Sequence, residues 1–121
     1  MELVTRILVL AIAAEHLYIL WMEMFAWKTV GKKMLPAFEP SFFEETRVLA
    51  ANQGLYNGFL SAGLIWSLFV GDVIWAARIS AFFLSCIIIA GVYGALTSSK
   101  TIFLKQAMPA ILTLFVLLVS I

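Results

Sequence analysis

Charge, cysteine, histidine and proline are all scarce in this 121-residue chain, and each shortage removes a class of protein. Only 12% of residues are charged, roughly half the ~25% of ordinary soluble domains. The net charge is +1 and no lysine- or arginine-rich run stands out, which leaves no electrostatic footprint for a nucleic acid. The single cysteine, Cys86, has no partner for an internal disulfide, and in its apolar run it acts as a small hydrophobe. His16 is the sole histidine, so a zinc helix with paired histidines four residues apart is excluded. Serine-nucleophile, phosphate-loop and dinucleotide signatures are missing as well.

What remains is oil. Hydrophobic residues make up 64% of the chain and mean hydropathy is +1.05 over its whole length. A bilayer is the solvent such a composition implies, and the lipid bilayer is its first partner. A helix needs ~20 apolar residues to cross a core of ~30 Å. Four segments meet that length, at about 3–27, 48–70, 73–97 and 102–121. The expectation is an all-α, integral membrane four-helix bundle, a single transmembrane domain over 1–121, with short loops and one longer cytoplasmic loop. The first apolar segment is too long for a signal-peptide core of roughly 7–15 residues and is taken as a retained helix. Gly71-Asp72 forms a minimal turn with Asp72 as N-cap of the third span, and Pro109 predicts a kink in the fourth. The long connection, 28–47, carries Pro36 and Pro40, which stop regular helix. Within it Ser41-Phe42-Phe43-Glu44 has the spacing of a capping box, so the second helix is expected to start there. Met34, Leu35, Phe38, Phe42 and Phe43 are expected at the membrane interface, and Trp21, Trp27, Trp66 and Trp75 mostly as belt residues. The first and third loops hold Lys28, Lys32, Lys33, Arg47, Lys100 and Lys105, against Arg6 and Arg78 elsewhere. That bias places both termini outside and loops 1–2 and 3–4 in the cytoplasm.

Two polar stretches interrupt the oil. They are Glu15-His16-Leu17-Tyr18-Ile19-Leu20-Trp21-Met22-Glu23 and Asn52-Gln53-Gly54-Leu55-Tyr56-Asn57-Gly58. A charged group in a span costs ~2.5–3.5 kcal/mol on translocon scales, so such groups mark functional sites by default. Glu15 and His16 fall at the middle of the first span, and Glu23 lies ~12 Å further towards the cytoplasm at 1.5 Å per residue. Asn57 lies near the middle of the antiparallel second span, with Asn52, Gln53 and Tyr56 ~5–10 Å towards the cytoplasm. Both sets occupy one half of the bilayer, on helices that a single loop makes neighbours. His16, Leu20, Glu23 and Trp27 share one stripe, while Gln53, Asn57 and Ser61 form one row and Ala50, Gly54, Gly58 and Ala62 a small-residue packing row.

Glu15 and His16 are the candidate acid–base pair, and Glu23, Asn52, Gln53, Tyr56 and Asn57 the candidate ligand contacts. A carboxylate-rich metal site of Glu15, His16 and Glu23 is the weaker reading of the same residues; no cofactor is otherwise indicated. The two polar stretches, extended to Trp27 and to Leu64, resemble the two hallmark blocks of the family catalogued as domain of unknown function 1304. The resemblance covers essentially the whole chain. It implies a four-helix membrane protein, chiefly bacterial and hence of the inner membrane, and it implies no activity. Three function classes follow from the residues. The first is binding, with conversion as an extension, of a lipophilic small molecule through the Glu/His pair. The second is a proton-coupled exporter of small-multidrug-transporter-like size, a class that dimerises, so a homodimer is its expected state. The third is a non-catalytic accessory or assembly subunit.

Overall fold

The computed structural model describes the backbone of residues 1–121 and every side chain except that of Phe103. The described residues are helical or in short turns, with no strand among them. Helix α1 spans Leu3–Phe25, α2 Lys32–Met34, α3 Pro40–Glu45, α4 Arg47–Phe69, α5 Val73–Thr97, α6 Lys100–Ile102 and α7 Met108–Val119. Two π turns complete the list, Trp27–Gly31 after α1 and Phe103–Ala107 before α7. Three helices are long and apolar enough to cross a membrane: Leu3–Phe25, Val73–Thr97 and the continuous Lys100–Val119. Helix α4 has the same 23-residue length as α1. Arg47, Asn52, Gln53 and Asn57 leave it less apolar than the other three.

The residues form two compact units. The first comprises Met1–Ala13 with Ala62–Ile121, and the second Ala14–Ser61. In the first unit the α4–α5 connection is tied at both ends. Asp72 caps α5 as the sequence predicts, its carboxylate accepting from the Trp75 backbone N–H at 2.9 Å. Arg6 donates to the Leu68 carbonyl at 2.9 Å. That carbonyl belongs to the last turn of α4, where acceptors lack helical partners and a cation suits the dipole. Ser80 of α5 donates to the Ser67 hydroxyl of α4 at 2.8 Å, and the Ser67 hydroxyl donates in turn to the Leu64 carbonyl at 2.6 Å. In the same unit Leu64, Leu84, Ile87, Ala110 and Leu117 are fully buried. Pro109 sits in the first turn of α7, and the π turn at Phe103–Ala107 precedes it. A proline has no N–H for the ladder and crowds the carbonyl four residues back, so a widened turn is where helix can absorb it.

In the second unit the connection between α1 and α4 is folded on itself. Leu35 leaves helical geometry before Pro36, ending α2, and Glu39 is extended before Pro40, which then opens α3 at its first position. The capping box is therefore not formed. Pro40 starts the helix one residue before Ser41, and Glu44 leaves for Lys28, which it pairs at 3.0 Å. Trp27 and Phe43 also depart from their expected interfacial seats. Both are buried with Ala50 in one small core, beside the partly buried Leu35 and Phe42. The Trp27 indole N–H donates to Thr46 Oγ1 at 3.0 Å, and the Thr46 hydroxyl donates to the Phe42 carbonyl at 2.6 Å. Gly31 allows the ring to lie this close, since a Cβ there would stand 2.9 Å from Trp27 Cε3.

Candidate functional site

The second unit contains every residue expected at the site. Along α1 the buried side follows the expected stripe: His16 is fully buried, Leu20 and Glu23 are half-buried, and Trp27 closes the line. Glu15, one residue and ~100° round the helix from His16, is half-buried. The two members of the expected acid–base pair therefore face different surroundings.

The first and second polar stretches meet at one point. Asn57 Nδ2 donates to Glu23 Oε1 at 2.7 Å and to the Gln53 carbonyl, one turn back on its own helix, at 3.1 Å. Asn57 is buried and Glu23 half-buried, so this bond joins α1 to α4 within the second unit in largely apolar surroundings. Glycine makes the approach close enough. A Cβ on Gly54 would stand 2.7 Å from Met24 Cγ and 3.1 Å from both Glu23 Cβ and the Leu20 carbonyl oxygen. One on Gly58 would stand 2.6 Å from Leu20 Cδ1. The small-residue row thus packs helix on helix as expected through Ala50, Gly54 and Gly58, while Ala62 is exposed.

The other candidates point elsewhere. Asn52, Gln53 and Tyr56 are exposed; Asn52 donates to the Val48 carbonyl at 3.2 Å, and Tyr56 packs edge-on against Phe59. A cleft of about 270 Å³ lies beside Met24, Ala51, Asn52 and Leu55, and it takes Asn52 but not Glu23 or Asn57 into its lining. Among the described residues no group of three or more histidine, cysteine, aspartate or glutamate side chains is placed to hold a metal ion. Glu15, His16 and Glu23 do not form one. Glu23 bonds Asn57, and Lys28 pairs with Glu44. The Lys28 ammonium, by hydrogen bond and by charge, holds the Glu44 carboxyl below the usual carboxylate range. Sequence reasoning missed the Trp27–Thr46 bond. Thr46, in the only break between α3 and α4, was its one available signal.

Three helices long and apolar enough to cross a bilayer, with a carboxylate–amide bond tying α1 to α4, suggest a small helical membrane protein. Residues 10–118 match the family model described as protein of unknown function (DUF1304), and the chain belongs to that family. It is also similar to the uncharacterized protein YpaA of Lactococcus lactis subsp. lactis (strain IL1403), 37% identical over 116 residues that cover 94% of this chain and 96% of that one. No solved structure matches the chain.

Proposed function

We propose that this chain binds a lipophilic small molecule at an intramembrane polar site on α1 and α4, with Glu23 and Asn57 as its central contacts. The reading rests on one observation, the 2.7 Å bond between Asn57 Nδ2 and Glu23 Oε1. Interhelical hydrogen bonds in membranes average only ~0.6 kcal/mol, and an ionisable side chain within a span marks a functional site by default. An acid kept there as interhelical glue alone returns little stability, and a ligand gives it a use. Both amide hydrogens of Asn57 are committed, to Glu23 and to the Gln53 carbonyl. What the pair has left is Asn57 Oδ1, an acceptor, and the second oxygen of Glu23, which accepts as a carboxylate and donates as a carboxylic acid. A hydroxyl or an amine on an apolar body can meet both.

In this reading α4 crosses the bilayer as the second of four spans, and its exposed Gln53, Asn52 and Tyr56 border the ligand's approach. The excess of basic residues in loops 1–2 and 3–4 keeps those loops cytoplasmic and both termini outside. Glu15 and His16 supply proton transfer if the bound molecule is converted. The test is mass spectrometry of small molecules retained by the purified protein. A donor-bearing lipophile enriched on the wild type should be lost from both Glu23→Gln and Asn57→Ala. Equal content in all three, with equal thermal stability, overturns the proposal.

A further inference from the structure

A cavity of about 580 Å³ opens in the first unit, where the start of α5 passes the end of α7. Its lining is apolar, including Ala77, Ala81, Leu117 and Leu118, with Glu2 and Arg78 as its two charged side chains. Ala77 and Leu117 are buried and Arg78 is exposed. We propose that this groove is a specific binding site for one zwitterionic glycerophospholipid, an acyl chain lying over Ala77 and Ala81 and the phosphate on Arg78.

Depth, volume and charge support that occupant. Arg78 is the sixth residue of the span Val73–Thr97, hence about 8 Å in from its start at 1.5 Å per residue. A long cationic side chain at that level reaches the headgroups. Its guanidinium stands 5.2 Å from the centroid of the exposed Trp75 ring, the residue type that marks the interface. Stacking on the ring holds the planar group in place, and a guanidinium presents a two-pronged donor to phosphate. A volume of 580 Å³ falls in the ~300–1,000 Å³ range of small-molecule sites. Alanines at positions 77 and 81, one helical turn apart, leave the trough that a longer side chain would fill. Charge selects among lipids. An anionic headgroup meets Arg78 but also the carboxylate of Glu2, whereas a phosphoethanolamine offers phosphate to the first and ammonium to the second.

Native mass spectrometry of the full chain in detergent, titrated with phosphatidylethanolamine, phosphatidylglycerol or diacylglycerol, tests this. The wild type should retain one phosphatidylethanolamine in preference to the other two. Arg78→Gln should weaken retention about tenfold, the effect of losing one charge-assisted hydrogen bond, and Arg78→Lys should recover part of it. Glu2→Gln should erase the preference over phosphatidylglycerol. Ala81→Phe should remove the adduct while the melting temperature reports whether the fold survives. If that variant unfolds, the exposed Arg78 substitutions decide alone. Diacylglycerol bound as tightly as phosphatidylethanolamine, or unchanged retention in Arg78→Gln, overturns the proposal.

Discussion

Replacing Gly54 tests the helix contact that brings Glu23 to Asn57. Ordinary carbon contacts lie at ~3.5–4.0 Å, and a Cβ at Gly54 would stand 2.7 Å from Met24 Cγ and 3.1 Å from the Leu20 carbonyl oxygen. The first obstacle is a flexible side chain that can swing aside. The second is backbone, and only movement of α1 relieves it. For Gly54→Ala the strain is a few tenths of an ångström after Met24 adjusts, set against ~1 kcal/mol of improved helix propensity. That variant should stay within ~1 kcal/mol of wild type. Gly54→Leu adds three more carbons to the same gap and should lose ~1–3 kcal/mol to overpacking. Pushing α1 aside also stretches the 2.7 Å bond from Asn57 to Glu23. Thermal unfolding in detergent followed by circular dichroism gives the comparison. Gly71→Ala is the control, because nothing lies within 4 Å of the added carbon. If Gly54→Leu melted with the wild type while Gly71→Ala did not, the close-approach argument would be wrong.

A double-mutant cycle of Glu23→Ala and Asn57→Ala should give a coupling of about 0.6 kcal/mol, and no more than ~1.7 kcal/mol; additivity would show that the bond does not form in solution. Asp72→Ala should cost ~0.5–2 kcal/mol in thermal unfolding through loss of the α5 cap, and Asp72→Asn should restore most of it. Trp27→Phe should lose ~0.5–1.5 kcal/mol, the worth of the hydrogen bond to Thr46, and Thr46→Val, which also removes the bond to the Phe42 carbonyl, should cost less in the Trp27→Phe background than in the wild type. Lys28 lowers the Glu44 carboxyl, so their pair contributes above the ordinary carboxylate range and is lost as pH falls through the lowered value. A titration of the wild type against Glu44→Gln should show a difference at neutral pH that closes in acid.

Much of the architecture was legible because it follows from short-range rules. The expected spans 3–27, 48–70, 73–97 and 102–121 lie within two residues of α1, α4, α5 and Lys100–Val119 at each end. Three of the four are apolar enough to span, and the fourth is diluted by the amides that made it interesting. Asp72, Pro36 and Pro40 act locally, through a cap and two fixed backbone angles, and behave as their chemistry dictates. The Gly54–Gly58 row was likewise visible, since small residues one turn apart permit only one kind of neighbour. What escaped depends on partners distant in sequence. Ser41-x-x-Glu44 has capping-box spacing, but Pro40 sets the helix start and Lys28 captures the glutamate. Trp27 looks like a belt residue until Thr46, nineteen residues on, claims its N–H. Glu23, the less central acid of α1, is the one that meets an amide.

The burial of Trp27 gives the molecule a built-in optical reporter. Its indole is only 9% exposed, whereas Trp21, Trp66 and Trp75 are 45%, 58% and 56% exposed. Brominated acyl chains or a water-soluble quencher reach those three by their position on the outer surface. The fluorescence that survives quenching then comes from the folded connection between α1 and α4. Its wavelength and lifetime follow the small core of Trp27, Phe43 and Ala50 as the protein binds, titrates or melts.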